Sequence, residues 1–319
     1  MPRHLHDVVD LLDDNSHAAP QSPMMPANRT PLAYLALIAA ILCIGWSAIF
    51  VRWTDIPGSV SAFYRMLIPA VLLVPTFLIG KKAKPPSRRS LGIIALGGIF
   101  FAGDLALFNS SILQTTAANA TLLGNNSPIF VGLLTWLVFR RPPRASFWIG
   151  LVMAVCGSLV ILRSDLLRHT QFGWGDAMAV GAAAFFAMYL LATEQVRTTT
   201  GTLQFLRLAM ISTTVALLVI NLALRNSFRV PNARTWGALI GLGLISQLAG
   251  YLALTYALGH LPATVTSVSL LTQGPLTAVL AALLLHETLS AAQVAGGILV
   301  LVGVGVAHRQ KHPEEEANI

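Results

Sequence analysis

The sequence predicts an all-α integral membrane protein with about ten transmembrane helices, arranged as two inverted five-helix repeats. Its apolar composition, its long uncharged runs and an internal repeat lead to this prediction. Of the 319 residues, 55% are hydrophobic and 11% are charged. Because a soluble domain carries about 25% charged residues, lipid must cover much of the surface of this protein.

Runs of membrane-spanning length follow one another along the chain. A transmembrane helix needs roughly 20 mostly apolar residues, and nearly uncharged runs of about this length recur from residue 31 onward. Two longer uncharged regions must each fold back once, near residues 114–116 and 259–262. The predicted spans are 31–51, 59–80, 91–113, 117–139, 147–162, 174–193, 203–224, two within 235–286, and 291–307.

The basic residues predict which side of the membrane each connector faces. Most of the 21 Lys and Arg residues lie on one side if the N-terminus is inside, and positively charged connectors stay in the cytoplasm. We therefore expect a multi-pass protein of the cell inner (plasma) membrane with both termini cytoplasmic. Residues 1–30 are polar, which excludes an ordinary cleaved signal peptide and predicts a disordered cytoplasmic tail. Residues 309–319 form a second predicted cytoplasmic tail.

Several classes of partner and cofactor are not expected. A formal charge of +8 would suit nucleic acid if the basic residues formed a stripe with aromatic residues, but they lie in connectors. Cys43 and Cys156 lie inside apolar runs and predict neither a disulfide framework nor a metal site. No Gly-x-x-x-x-Gly-Lys-Ser/Thr phosphate-binding motif occurs. We therefore expect no cofactor, with a small-molecule substrate and the lipid bilayer as partners.

The second half of the chain repeats the first. Residues 102–107, Ala-Gly-Asp-Leu-Ala-Leu, correspond to Ala-Gly-Tyr-Leu-Ala-Leu at 249–254, and Pro128 corresponds to Pro275 at the same spacing. Other matches at similar spacings are Gly150 with Gly296, Gly157 with Gly303, and Phe63-Tyr64-Arg65 with Phe205-Leu206-Arg207.

The repeat predicts two domains, residues 31–164 and 173–308, with five spans each. Because five is an odd number, the second half must enter the membrane from the opposite side. Inverted repeats recur in secondary transporters, in which two halves move about a site near the membrane midplane. The repeat therefore predicts a small-molecule carrier that works by alternating access.

Short motifs run through both halves. They are Trp46, Phe63-Tyr64-Arg65, the run Tyr-Ala-Leu-Gly-His-Leu-Pro-Ala at 256–263, Pro275, His286-Glu287-Thr288-Leu289, and Gly296, Gly297 and Gly303. In their order and spacing the chain resembles the EamA-like family of the drug/metabolite transporter superfamily, from about residue 31 to 308. The resemblance implies export of amino acids or related metabolites, with nucleotide sugars, purines and drugs as alternatives. Where the family usually has a glutamate after the fourth span, this chain has Arg140-Arg141-Pro142-Pro143, so we expect a structural helix-end role for Glu287.

Two prolines mark predicted helix breaks or hinges. Pro128 and Pro275 lie near the middle of the fourth and ninth spans, and each removes one helical hydrogen bond. The polar residues just before them are Asn125, Asn126, Thr272 and Gln273. Polar side chains beside a weakened backbone at matched positions predict a substrate site, although kinking and packing alone would also explain them.

Asp104 is the only acidic residue near the middle of a predicted span. An intramembrane carboxylate is costly and marks a functional candidate. Arg65 lies at a similar depth, so we favour a structural Arg65–Asp104 pair; proton exchange at Asp104 is the alternative and leaves proton coupling open. Arg207 is expected to reach the membrane surface or to pair with Glu194. Attraction of a carboxylate substrate by one of the arginines is a further alternative.

The remaining cavity candidates are Trp46, Tyr64, Tyr189, Gln247 and Tyr251. Each offers a flat apolar surface or a hydrogen bond suited to an amphipathic metabolite, and packing is the alternative role for each.

A secondary carrier is thus the first functional hypothesis. The scattered histidines do not form the cluster that a membrane enzyme needs, so no enzymatic activity is expected. A non-transporting scaffold or receptor is the other alternative, but a scaffold gains nothing from weakened helices in mid-membrane. The sequence does not predict the oligomeric state.

Overall fold

The computed structural model describes residues 30–73, 75, 85–115, 120, 123–161, 173–276, 279 and 290–308. Apart from residue 30, the two predicted tails lie outside the described residues, and so do His286 and Glu287. Over the described ranges the chain forms helices and their connectors, with no β-strand.

The helices follow the predicted apolar runs. Within the described ranges they are α1 (Thr30–Gly45), α2 (Ser47–Arg52), α3 (Gly58–Leu73), α4 (Arg88–Ser111), α5 (Ser127–Leu137), α6 (Ala145–Ile161), α7 (Trp174–Arg197), α8 (Thr202–Ala223), α9 (Ala233–Gly241), a π-helical segment (Leu242–Ala249), α10 (Gly250–Leu258), α11 (Ala263–Leu270) and α12 (Ala291–Ala307).

Many of these helices are long and apolar enough to cross a membrane. In the described part of the chain, five helical stretches meet this criterion: Pro31–Val51, which includes the short interruption at Trp46, Arg88–Ser111, Trp174–Arg197, Thr202–Ala223 and Ala233–Leu258. Shorter apolar helices there are Gly58–Leu73, Ser127–Leu137, Ala145–Ile161 and Ala291–Ala307.

Helix α8 illustrates how these helices suit lipid as their solvent. Leu217 on its inner face is 0% exposed, whereas Val219 on its outer face is 60% exposed. Both faces are apolar, so the helix lacks the polar outer stripe that a water-facing helix carries.

Small polar residues set where several helices begin. The Ser87 hydroxyl accepts from the Ser90 backbone N–H at the start of α4, and the Asn232 side chain accepts from the Thr235 N–H at the start of α9. At the start of α12, Ser290 and Gln293 satisfy each other's backbone N–H groups. Such caps satisfy amide groups that have no partner within the helix.

Helices α6 and α12 cross at glycines. A Cβ atom placed on Gly150 would lie 2.3 Å from the Gly303 carbonyl oxygen, and one placed on Gly157 would lie 2.6 Å from the Gly296 carbonyl oxygen. Residue numbers rise along α6 from Gly150 to Gly157, whereas those of their partners on α12 fall from Gly303 to Gly296. The two helices are therefore antiparallel. Small residues allow this close backbone approach, which is a main source of helix association in membranes.

Among the described residues, the largest hydrophobic core lies between α1, α3, α4, α7, α8 and α10. Its members include Met66, Phe101, Tyr189, Phe205 and Leu254, all at most 2% exposed. Polar side chains that face this core are therefore shielded from both lipid and bulk water.

Candidate functional site

Arg65 is a charged residue buried in the membrane-length part of the fold. It lies on the inner face of α3, and its side chain is 3% exposed. Its Nε donates to the Gln247 Oε1 at 2.8 Å, and its NH1 donates to the Ser47 Oγ at 2.8 Å. Three separate parts of the chain therefore meet at one guanidinium group.

Gln247 owes its position to the π-helical segment. A π-helical turn holds more residues than an α-helical turn, so it changes the direction of the side chains that follow, and such turns are frequent at functional sites. Gln247 is 0% exposed. Its Oε1 accepts from Arg65, but no described residue accepts from its Nε2. The amide therefore points a free donor into the interior.

A group of packed aromatic rings lies next to the Arg65 guanidinium. Phe101 stacks on Tyr189 with ring centroids 4.4 Å apart, and Phe101 also lies 4.8 Å from the Tyr251 ring. The Arg65 Cζ lies 5.8 Å from the Tyr251 ring centroid. At this distance the cation is attracted by the electrons of the ring face.

Asp104 adds a carboxylate to the same cluster. It interacts electrostatically with Arg65, Tyr189 and Tyr251. Its side chain is nonetheless partly exposed, whereas these three are nearly fully buried. Among the described residues none donates a hydrogen bond to it, so the expected direct Arg65–Asp104 contact is not formed. The carboxylate therefore has charged and aromatic neighbours but no hydrogen-bond donor among the described residues.

We call Arg65, Asp104, Tyr189, Gln247 and Tyr251 the central cluster. All five were candidates from sequence, and the structure brings them together. Sequence reasoning missed Ser47 and Phe101. Phe101 lies one helical turn before Asp104, a spacing that places two residues on one face and that would have identified it.

Trp46 and Tyr64 lie outside the central cluster. Trp46 stands at the interruption between α1 and α2 and packs near Phe50 and Leu242. The Tyr64 hydroxyl donates to the Phe228 carbonyl oxygen at 2.7 Å. A role of Trp46 or Tyr64 in a substrate cavity stays a prediction.

The fourth and ninth predicted spans are interrupted next to their prolines. The chain turns at Asn125 and Asn126, and α5 begins at Ser127 with Pro128 in its first turn. In the other half, α11 ends at Leu270 and the chain turns at 271–272 before Pro275. The Thr272 hydroxyl donates to the Ser269 carbonyl oxygen at 2.7 Å. A role of Asn125, Asn126, Thr272 or Gln273 in substrate binding stays a prediction.

The second predicted charge pair involves Glu194 and Arg207. The Glu194 carboxylate accepts from the backbone N–H of Ala263, the first residue of α11, and interacts electrostatically with Arg141. A carboxylate at a helix N-terminus is favoured by the helix dipole. Arg207 is half-buried in α8, and its pairing with Glu194 stays a prediction.

One polar network, which we call the Ser59 network, joins helices at one end of α8. The Ser59 Oγ donates to the Asn221 Oδ1 at 2.9 Å, and the Asn226 Nδ2 donates to the Ser59 Oγ at 3.0 Å. The Asn109 Nδ2 donates to the Gly58 carbonyl oxygen at 3.1 Å. These bonds join the start of α3 to the ends of α4 and α8.

A second polar network, which we call the Arg197 network, joins helices at the other end of α8. The Arg197 Nε donates to the Thr255 carbonyl oxygen at 3.0 Å, and its NH2 donates to the Thr202 Oγ1 at 2.6 Å. Arg197 thereby joins the end of α7 to the start of α8 and the end of α10. At about 1.5 Å per residue, the two networks lie roughly 30 Å apart along α8, and the central cluster is built on the helices that they connect.

Membrane-length apolar helices around a buried polar cluster are typical of multi-pass membrane transporters. The chain matches the model of the EamA-like transporter family over residues 31–163 and 173–308. It belongs to the EamA-like transporter family.

Named relatives agree with this assignment. The chain is 29% identical over 260 residues to the pseudopaline exporter CntI of Pseudomonas aeruginosa (strain PAO1), covering 80% of this chain and 88% of that protein. It is 28% identical over 232 residues to the uncharacterized transporter YwfM of Bacillus subtilis (strain 168), covering 71% and 77%. It is 25% identical over 172 residues to the uncharacterized inner membrane transporter YhbE of Escherichia coli (strain K12), covering 50% and 53%.

A solved crystal structure has the same fold. It superposes with a TM-score of 0.71 at 18% sequence identity and covers 87% of this chain and 96% of its own. The sequence-based prediction of a membrane transporter of this family is confirmed.

Proposed function

We propose that this protein is a secondary carrier that moves a small metabolite across the inner membrane by alternating access, with the central cluster as its substrate site. The observation that carries this proposal is a cluster of polar side chains in mid-helix, in which the buried Gln247 Nε2 has no acceptor among the described residues and lies close to the charged groups of Arg65 and Asp104. Burying polar atoms without partners is costly, and a bound substrate would supply the missing partners.

The proposed architecture is ten spans in two inverted domains, residues 31–164 and 173–308. The glycine contacts support it. Gly150 contacts Gly303, and Gly157 contacts Gly296. Because the repeat aligns Gly150 with Gly296 and Gly157 with Gly303, exchanging the two halves turns one contact into the other. Antiparallel helices with this exchange symmetry are expected when a two-fold axis in the membrane plane relates the halves.

Alternating access needs parts that can open at each end in turn. The Ser59 network and the Arg197 network hold opposite ends of the same helix group, so each is a candidate gate. The interruptions before Pro128 and Pro275 supply segments with fewer helical hydrogen bonds, where bending is easier. We propose that breaking one network while keeping the other exposes the central cluster to one side.

Amino acids or related metabolites are the proposed substrates, and efflux is the proposed direction. Family membership supports an exporter of small molecules, and one relative is named as an exporter of pseudopaline. Both termini are proposed to be cytoplasmic on the basis of the positively charged connectors.

Transport into liposomes that contain the purified protein tests this proposal. Labelled amino acids, nucleosides, sugars and organic cations would be supplied separately, with and without a pH gradient. Saturable uptake of one class, absent from liposomes without protein, is the expected result. No uptake of any class would contradict the carrier and favour the scaffold. A dependence on the pH gradient that disappears in Asp104→Asn would identify Asp104 as a proton site.

A further inference from the structure

Three arginines lie in the short connector between α5 and α6. Arg140, Arg141 and Arg144 are all exposed, and no Asp or Glu occurs from residue 105 to residue 164. Arg141 interacts electrostatically with Glu194 on α7. Among the described residues, neither Arg140 nor Arg144 has an acidic partner. The connector therefore presents positive charge that the fold itself does not neutralise.

Two tryptophans lie at the same end of the α5–α6 pair. The helices pack at Gly132, where an added Cβ would lie 2.9 Å from the Cη2 atom of the Trp148 ring. Trp136 lies one helical turn further along α5 and is 52% exposed. Because tryptophan rings in membrane proteins concentrate at the level of the lipid headgroups, these two rings place the arginine connector at the membrane surface.

Exposed apolar side chains continue from the connector toward the middle of the membrane. They are Leu133 and Leu137 on α5 and Ile149 and Val152 on α6, and they are between 36% and 68% exposed. Residues three or four positions apart share one face of a helix, so each helix presents an apolar strip that ends next to the arginines. The surface is thus basic at its end and apolar along its length.

This combination of charge and shape selects one class of ligand. Guanidinium groups bind phosphate oxygens through charged hydrogen bonds. A free phosphate would contact the arginines and leave the apolar strips unused, whereas a phospholipid contacts both. A phospholipid with a net negative charge is attracted to basic residues at the membrane surface, and one that also carries an ammonium group is attracted less.

We propose that the connector between α5 and α6 binds the headgroup of an anionic phospholipid. The Arg140 and Arg144 guanidinium groups contact the lipid phosphate, and the acyl chains lie along the apolar strips of the two helices. Arg141 contributes less because Glu194 partly neutralises its charge. The connector is not part of the central cluster, so this inference goes beyond the proposed function and does not depend on the compound carried.

A fluorescent label beside the connector measures the lipid preference at this place. The full chain, with Cys43 and Cys156 replaced by serine, would carry the label on Ser146→Cys in the first turn of α6. The labelled protein is reconstituted in phosphatidylcholine vesicles that contain a small fraction of spin-labelled phosphatidylglycerol or spin-labelled phosphatidylcholine as quencher. Phosphatidylglycerol should be preferred by about fivefold for each arginine that contacts it. Equal quenching by the two lipids would overturn the proposal.

Variants of the arginines test which side chains produce this preference. Arg140→Gln/Arg144→Gln removes both proposed phosphate contacts and should abolish the preference without changing the quenching by phosphatidylcholine. If this variant does not fold, Arg140→Gln alone should lower the preference about fivefold. Arg140→Lys/Arg144→Lys keeps both charges and should keep most of the preference. A preference that persists without either arginine contradicts the site.

A matched control removes the same charge from another connector. Arg225 and Arg229 are exposed in the connector between α8 and α9, and Arg225 has φ of 54°, close to the 52° of Arg140. Arg225→Gln/Arg229→Gln should leave the lipid preference at position 146 unchanged. Loss of the preference in this control would show that overall charge, and not the α5–α6 connector, attracts the lipid.

Two further measurements separate a lipid site from general attraction of anions. A label on Ser227→Cys, in the exposed connector between α8 and α9, should report a smaller preference for phosphatidylglycerol, and an equal preference there would overturn the site. Inorganic phosphate should relieve the quenching no more than sodium chloride of the same ionic strength, because both salts only screen the charges. Stronger relief by phosphate would mean that the arginines bind a soluble anion and would reject the lipid.

Discussion

At the scale of single residues, Arg65 organises the site because it has more donors than its neighbours can satisfy. Gln247 and Ser47 take two of them, and Tyr251 presents its ring to the cation. Buried arginines are stable only with such partners. With these partners, Arg65 makes no hydrogen bond to Asp104, the residue that sequence reasoning paired with it, and the two groups interact only electrostatically.

Replacement of Gln247 by alanine tests how much this arrangement contributes to stability. Gln247→Ala leaves the Arg65 Nε buried without its acceptor, and a hydrogen bond to a charged group contributes about 1.5–3 kcal/mol. We expect a lower thermal unfolding temperature for the purified protein. Gln195→Ala, a polar truncation on α7, should change it little. Equal unfolding temperatures for wild type and Gln247→Ala would show that water or a rearranged side chain replaces the amide.

Residue-scale periodicity also explains why Tyr64 and Trp46 lie outside the central cluster. Tyr64 and Arg65 are neighbours on α3, and consecutive helical residues point about 100° apart. Only one of the two can face the central cluster, and the other reaches Phe228. Trp46 and Ser47 straddle a helix interruption that the apolar run gave no reason to expect, so Ser47 rather than Trp46 contacts the arginine.

At the scale of helices, the apolar runs were sufficient to predict element positions but not their internal irregularities. The end of α12 at Ala307 agrees with the predicted limit of its run. The π-helical segment at Leu242–Ala249 was not predicted, because hydropathy does not distinguish a π-helical turn from an α-helical one. Its effect on side-chain direction is why the Arg65–Gln247 bond could not be derived from spacing.

The crossing of α6 and α12 gives a sharp test with a matched control. In Gly157→Ala the added Cβ would lie 2.6 Å from the Gly296 carbonyl oxygen and 2.7 Å from the Val300 nitrogen. Both atoms belong to the backbone, so the helices must separate, and we expect reduced yield of folded protein and a lower unfolding temperature. Gly305→Ala meets nothing within 4 Å and should be neutral or stabilising by up to about 1 kcal/mol. Similar behaviour of both variants would contradict the close crossing.

The interruption before α5 is predicted to affect movement more than binding. Pro128→Ala restores a backbone donor and favours a continuous helix, so we expect slower uptake with an unchanged affinity for the transported compound. Pro142→Ala, in an exposed connector, is the matched control. An uptake rate equal to that of the wild type would mean that Pro128 serves packing alone.

At the scale of the whole molecule, the fold combines the central cluster with two polar networks at opposite ends of α8. The repeat in the sequence predicted two related halves, and the reciprocal glycine contacts are what such halves produce when they are inverted. The site itself is not symmetric: Asp104 corresponds to Tyr251, so one half supplies the acid and the other supplies an aromatic ring.

The orientation of the protein in the membrane gives the last prediction. Thr198 lies in the exposed connector between α7 and α8, and Ser227 lies in the exposed connector between α8 and α9. Because α8 separates them by a membrane-spanning length, they must face opposite sides, and the positively charged connectors predict that Thr198 is cytoplasmic. With Cys43 and Cys156 replaced by serine, a membrane-impermeant maleimide applied to intact cells should label Ser227→Cys, and should label Thr198→Cys only after permeabilisation. The reverse pattern would invert the proposed direction of insertion while keeping the fold. Labelling of both from outside would contradict a transmembrane α8, and with it the ten-span architecture on which alternating access depends.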